Sequence, residues 1–224
     1  MALHIDYYAS LNSPWTHLGA ARIEALATKH GASLRIWPVD FGAIFPASGG
    51  LPLPKRAPQR QAYRLMELRR WRDLLGVPIN IEPKHFPASE ALTAPCVIAL
   101  RETEGDAPAI RLAHRVLRAV WQDELDPGDR ATLARLIAEV GLDADVVMRL
   151  GAEPRWSERR VADTQAARGN DVTSGDPGRR LRRGAGVAWS ARSSRPGPRA
   201  GAGGSARGRA ATRVPEPCRA TSQP

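Results

Sequence analysis

The sequence is short of the patterns that would place its chemistry outright. It has two cysteines in 224 residues, Cys96 and Cys218, far apart, with no CxxC pair and no histidine cluster beside them. A disulfide framework and a Cys/His zinc site are both unsupported, so no metal is expected and a reducing, cytoplasmic setting fits. No window approaches the roughly 18 apolar residues that a membrane span requires, and Met1–Tyr8 lacks the basic and apolar regions of a secretory signal. No membrane partner is expected.

Acid is scarce in one region. Residues 172–224 hold eleven Arg against Asp176 and Glu216, a net of +9, while the preceding 171 residues hold 22 basic and 21 acidic side chains, a net of +1. The overall +10 would by itself suggest a nucleic-acid partner, yet one quarter of the chain makes all but one unit of it. That quarter also lacks Lys, Ile, Phe, Tyr, Met, Asn and His, and Arg, Gly and Pro fill 26 of its 53 positions. Such a composition cannot bury enough apolar surface to offset the entropy of ordering, so disorder is expected there.

What is present is clearest at the start. Residues 3–8 are short, β-branched and aromatic, and read as a strand. Ser13 followed by Pro14 reads as a helix cap with proline at the first helical position, and Gly31 stands where a left-handed glycine would close that helix. Residues 33–37 alternate and form a second strand ended by Pro38. A helix between the strands makes the pair parallel, a βαβ unit. Val39–Pro58 reads as a long loop. Helices are expected over 58–75, 108–121, 127–140, 143–150 and 154–168, with Gly76 and Gly141 as stops. The segments are therefore 1–54 (βαβ and its loop), 55–153 (helical insertion), 154–171 (a return helix) and 172–224 (the tail).

Ser13 is the one position where chemistry is expected. A hydroxyl at a helix N-terminus, just after the first strand of a βαβ unit, sits beside unpaired backbone N–H groups and the positive end of the helix dipole. Such a place stabilises an anion, including a thiolate, although a serine before proline also serves simply as a cap. No His/Asp pair lies close in sequence to make it a hydrolase nucleophile.

The ordered series Asp6-Tyr7-Tyr8, Ser13-Pro14-Trp15, Trp37-Pro38-Val39, Gly42-x-x-Phe45, Ala62-Tyr63-x-x-x-Glu67-Leu68-x-Arg70-Trp71 and Leu75-Gly76-Val77-Pro78 resembles the 2-hydroxychromene-2-carboxylate isomerase family. That family is related to kappa-class glutathione transferases and thiol–disulfide oxidoreductases. The resemblance implies an α/β, thioredoxin-like fold with an inserted all-helical domain. It implies glutathione as cofactor and interconversion of a hydroxychromene carboxylate with its ring-opened benzylidenepyruvate in aromatic catabolism. Ser13 would then occupy the place of the first catalytic cysteine of the oxidoreductase relatives and hydrogen-bond the glutathione sulfur. By the same resemblance Gly50, Lys55 and Arg60 join Ser13 as candidates for holding glutathione. Trp15, Phe45, Tyr63 and Trp71 are candidates for lining the aromatic pocket, with buried core as the alternative for the tryptophans. Relatives of this kind tend to be dimeric, so the resemblance makes a homodimer a possible assembly.

This chain departs from the family pattern in three places. Gly49-Gly50 stands where Gly-Asn is common, Arg60 where Lys is common, and Asp163 where Asn is common. After residue 171 the Val-Phe-Gly-x-Pro segment, two strands and last helix of the family have no counterpart, so the C-terminal half of the thioredoxin motif is expected to be missing. The Arg/Gly/Ala/Pro/Ser composition is what a GC-rich gene yields out of frame, and a frameshift near 169–175 is the expectation. With it comes an expectation of weak stability and weak activity. The alternatives are another glutathione transferase or thioredoxin-fold oxidoreductase, and a nucleic-acid binder using the Arg/Gly tail. The neutral body and the absence of repeated Arg-Gly-Gly units disfavour the binder.

Overall fold

The computed structural model describes residues 3–169 and 188–191. Strand β1 (His4–Ala9) and strand β2 (Ser33–Pro38) pair in parallel, with Tyr7 opposite Ile36 and Tyr8 opposite Trp37. Helix α1 (Pro14–Lys29) crosses between them, with Pro14 opening it and Ser13 as its cap. Gly31 takes φ +58° just after its end, a conformation that costs a residue with a Cβ. The βαβ reading is thus the observed one.

The loop beyond β2 has more structure than its composition suggested. Asp40 caps a single turn, α2 (Phe41–Ile44), accepting from the amides of Gly42 (2.7 Å) and Ala43 (3.4 Å). Two 3-10 turns follow, Phe45–Ser48 and Leu53–Lys55. Then come α3 (Pro58–Leu75), α4 (Thr93–Thr103), α5 (Asp106–Trp121), α6 (Arg130–Glu139), α7 (Ala144–Gly151) and α8 (Pro154–Gly169). Helix α6 begins three residues later than expected. Its cap is Asp129, which accepts from the Thr132 amide at 2.8 Å, whereas Asp126 makes the preceding turn through the Gly128 amide.

Helix α4 has no counterpart among the expected helices, and it is the most buried of them. All nine residues Thr93–Arg101 are inside. A helix enclosed on every side shows no apolar stripe, so its sequence, TAPCVIALRET, carries no 3.6-residue period. One continuous core runs from Ile5, Tyr7 and Ala9 of β1 through Ile23 of α1 to Val97 and Leu100 of α4, Leu112 and Val116 of α5, Leu136 of α6 and Val147 of α7. The helical segment therefore packs into the same core as the βαβ unit. The chain passes Gly151 so close to α4 that an added Cβ would lie 2.4 Å from the Cys96 sulfur.

Strand β3 (Ala188–Ala191) corrects the expectation that the whole tail is disordered. It pairs antiparallel with β1, Tyr8 opposite Ala188 and Ile5 opposite Ala191, giving the order β2-β1-β3. Ala-Trp-Ser-Ala is a short stretch of the tail free of Arg, Gly and Pro, which is what ladder pairing requires. β1 accordingly has a partner on both sides. The rest of 172–224, including the frameshift expectation, lies outside the described residues.

Candidate active site

Ser13 sits where β1 gives way to α1, half-buried. Its Oγ accepts from the Thr16 amide at 3.3 Å, its amide donates to the Ser10 carbonyl at 3.2 Å, and its carbonyl receives the His17 amide at 3.0 Å. The cap bond is long, and among the described residues the hydroxyl hydrogen has no acceptor. No acidic side chain stands in the first turn of α1, so the positive end of the helix is unopposed there.

The loop holding Ser13 is clamped from the far side of the sequence. The Asn12 side chain accepts from the Ala88 amide (2.9 Å) and donates to the Ala88 carbonyl, copying a backbone pairing. The Ser10 hydroxyl donates to Glu90 Oε1 at 2.6 Å, and the other oxygen of Glu90 pairs with Arg160 of α8. Residues 88–90 thereby fix the approach to α1 from two directions.

Trp15 and Trp71 pack on one cluster. Both are half-buried against Leu18, Leu68, Ile79, Leu117, Val120 and Trp121, with Phe86 and Ala88 at the same cluster. Phe45 is elsewhere, packed on Phe41 at 5.9 Å between ring centres and against Gly50. Gly50 spends its amide on the Phe45 carbonyl (2.9 Å), and a Cβ there would lie 2.9 Å from the Phe45 ring, so this glycine closes a turn and offers no free N–H. Tyr63 departs from the pocket role expected of it: it is 49% exposed and its hydroxyl donates to Glu67 one turn on, at 2.8 Å. Lys55 and Arg60 are exposed.

The cation turned inward on α3 is Arg64, which the sequence reading passed over. Its guanidinium lies 5.2 Å from the centre of the Phe86 ring and 6.0 Å from that of Trp121. The available signal was its position one turn beyond Arg60 and four residues before Leu68, the fully buried residue of α3. A cavity of about 340 Å³ lies on the other side of the Glu90 clamp, between Asp40, Ala43, Pro95 and Arg160 among others, and none of the expected site residues lines it. Among the described residues no group of His, Cys, Asp and Glu could hold a metal, and no helix is long and apolar enough to cross a membrane.

His17 adds a pH signature. Burial holds its pKa below the ordinary 6.5 despite a hydrogen bond with the Pro78 carbonyl, at 3.0 Å. The folded protein thus binds this proton less readily than the unfolded chain, and stability falls as pH drops through the unfolded value near 6.5. Melting temperatures should decline between pH 7.5 and pH 5.5, and His17→Gln should flatten that decline. An equally steep decline in the variant would assign it to other groups.

A parallel βαβ unit with α1 opening directly after β1, and helices α4–α7 packed into the same core, is the layout of a thioredoxin-like protein. The first turn of α1 reads Ser13-Pro14-Trp15-Thr16 and carries no cysteine. The chain belongs to the DSBA-like thioredoxin domain family, whose profile matches residues 4–177. It is 28% identical over 171 residues to a 2-hydroxychromene-2-carboxylate isomerase of Sphingobium xenophagum, spanning 74% of this chain and 83% of that protein. It is 26% identical over 165 residues to one of Pseudomonas putida, spanning 73% and 78%. A solved 2-hydroxychromene-2-carboxylate isomerase superposes with a TM-score of 0.62 at 22% identity over 74% of this chain and 79% of the other. The cytosolic disulfide reductase DsbM of Pseudomonas aeruginosa, solved with GSH, gives 0.55 at 19% identity over 78% and 84%. These two superpositions speak to the fold.

Proposed function

We propose that this protein is a glutathione-dependent isomerase that interconverts 2-hydroxychromene-2-carboxylate and its ring-opened benzylidenepyruvate. The observation that carries the reading is Ser13, an unengaged hydroxyl donor at the N-terminus of α1, in a chain similar to proteins of that name. Disulfide exchange needs an accessible thiol. Neither position 13 nor position 16 supplies one, and the one cysteine among the described residues, Cys96, is buried with its thiol pushed up to about 11 by desolvation.

The residues present fit glutathione at this end of α1. When bound, it supplies a thiol whose anion can add reversibly to the conjugated acid and free rotation about its double bond. Ser13 donates its hydroxyl hydrogen to the sulfur, and the first-turn amides of α1 favour the negative charge there. Trp15 and Trp71, set against Phe86, offer the flat apolar surface an aromatic substrate requires. Asn12 and Glu90 hold the loop so that the hydroxyl does not have to be ordered at the moment of reaction.

The test is direct. The purified chain is mixed with the hydroxychromene carboxylate, with and without glutathione, and the approach to equilibrium is followed by absorbance. Glutathione-dependent acceleration is the expected result, and its absence for a folded sample overturns the reading. The same proposal takes the residues from about 171 onward as translated out of frame. Translating the other two frames of the gene should restore a Val-Phe-Gly-x-Pro-like segment followed by strands, and if neither does, that part fails.

A further inference from the structure

We infer that Arg64, flanked by Arg56, is a carboxylate-binding site on the aromatic cluster beside α1, and that it recognises the acid group of the ligand. The inference rests on the isomerase reading only for the identity of that ligand. From Phe41 to Met66 the chain holds Lys55, Arg56, Arg60 and Arg64 and no acidic residue, a +4 run inside a body of 171 residues whose net charge is only +1. Lys55 and Arg60 are exposed, while Arg56 and Arg64 are half-buried.

Neither of the two inward cations is in an ion pair among the described residues. Arg56 donates its Nε to the Leu51 carbonyl at 2.7 Å and has its guanidinium 5.8 Å from the Phe45 ring centre. The Arg64 guanidinium has no hydrogen bond among those residues and lies over the Phe86 and Trp121 rings. Burial, and then the charge of Arg56, hold the pKa of Arg64 below the usual guanidinium range. Both guanidiniums are partly out of water and neither has a carboxylate partner among the described residues, which costs free energy that an anion would recover. Ion pairs serve other arginines close by: Arg101 with Asp163, Arg115 with Asp123 and Glu139, Arg160 with Glu90.

The position suits a ligand bound at Ser13. Phe86, beneath Arg64, shares its cluster with Trp15, and Ala88, two residues on, is the residue clamped to Asn12. An aromatic acid lying on this cluster would present its carboxylate to a guanidinium whose five donors suit a two-oxygen acceptor. Covering ring faces is something any arginine can do, so the test must read the charge and not the packing.

Binding of cinnamate and of its uncharged amide to the full chain is measured by calorimetry, together with glutathione and its ethyl esters, for the parent, Arg64→Met and Arg64→Lys. Methionine keeps the apolar cover and removes the charge. The expected result is an acid-over-amide or acid-over-ester preference of about tenfold or more in the parent, lost in Arg64→Met and partly kept in Arg64→Lys. Loss confined to the cinnamate arm assigns the aromatic acid, and loss confined to the glutathione arm assigns the thiol peptide. A parent with no preference in either arm, or a folded Arg64→Met that keeps it, overturns the inference. If Arg64→Met does not fold, the parent's preference and its loss with rising salt decide. These outcomes are independent of turnover, so a chain that binds the acid as expected but isomerises nothing would fail the isomerase reading and leave this site standing.

Discussion

Replacing Ser13 with alanine should lower glutathione-dependent turnover about a hundredfold while costing only about 0.5–1 kcal/mol of stability. The two effects separate because the Ser13 oxygen and its hydrogen do different work. The oxygen caps α1 through a 3.3 Å bond from Thr16, at the weak end of the range, and Pro14 already presets the first turn, so the helix loses little. The hydrogen has no acceptor within the described residues, and donating it to a thiolate is a charge-assisted bond with no replacement in alanine. Steady-state kinetics with saturating glutathione and thermal melts on the same samples give both numbers. Parental turnover in Ser13→Ala would remove Ser13 from the chemistry. A melting temperature lowered by much more than about 2–4 °C would make its role structural. Ser13→Cys, made in a Cys218→Ser background, offers the converse: a thiol placed on the N-terminus of α1 should have a depressed pKa and react quickly with a disulfide probe, where Cys218→Ser alone, with only the buried Cys96, reacts slowly.

How much of this was legible in the chain follows from which signals are local. The βαβ unit was, because a cap, a proline, a closing glycine and two short β-rich runs each act within a few residues of where they sit. The place of Ser13 as the cap of α1 was legible for the same reason. Helix α4 was not, because burial on every side erases the alternation that a helix in contact with water shows. Strand β3 was masked by the composition around it: four residues free of Arg, Gly and Pro are lost in an average taken over 53. The inward cation Arg64 was not legible, because nothing short-range tells which of two arginines four residues apart meets Phe86, a residue more than twenty positions away. The clamp on the Ser13 loop is likewise long-range, joining Asn12 to Ala88 and Ser10 to Glu90 and then Arg160.

The largest loss of stability is expected at Arg101, where three parts of the fold meet on one guanidinium. Arg101 of α4 is 2% exposed and Asp163 of α8 is 4% exposed. Its Nη2 donates to Asp163 at 2.7 Å, its Nη1 to the Ile36 carbonyl of β2 at 3.1 Å, and its Nε to Glu102 at 2.9 Å, while the Trp37 ring centre lies 4.3 Å away. Strand β2 is the edge of the sheet, so this side chain serves a carbonyl on the strand that has only one neighbour. Arg159 joins from α8, bonding the other oxygen of Asp163 at 2.8 Å. Removing one member of this buried pair leaves the other with only its outer partner, Glu102 for Arg101 or Arg159 for Asp163, and Asp163→Ala or Arg101→Met should each cost up to about 3–5 kcal/mol, enough to leave a marginal domain largely unfolded. Asp163→Asn is the informative contrast. It restores the residue common at this position in the family the sequence resembles, keeps an acceptor for Arg101, and should cost clearly less than Asp163→Ala. Chemical denaturation of the three variants measures this. Equal losses for Asn and Ala would show that the negative charge itself balances Arg101, and a negligible loss for Arg101→Met would show that the junction of α4, α8 and β2 is held by its apolar contacts alone.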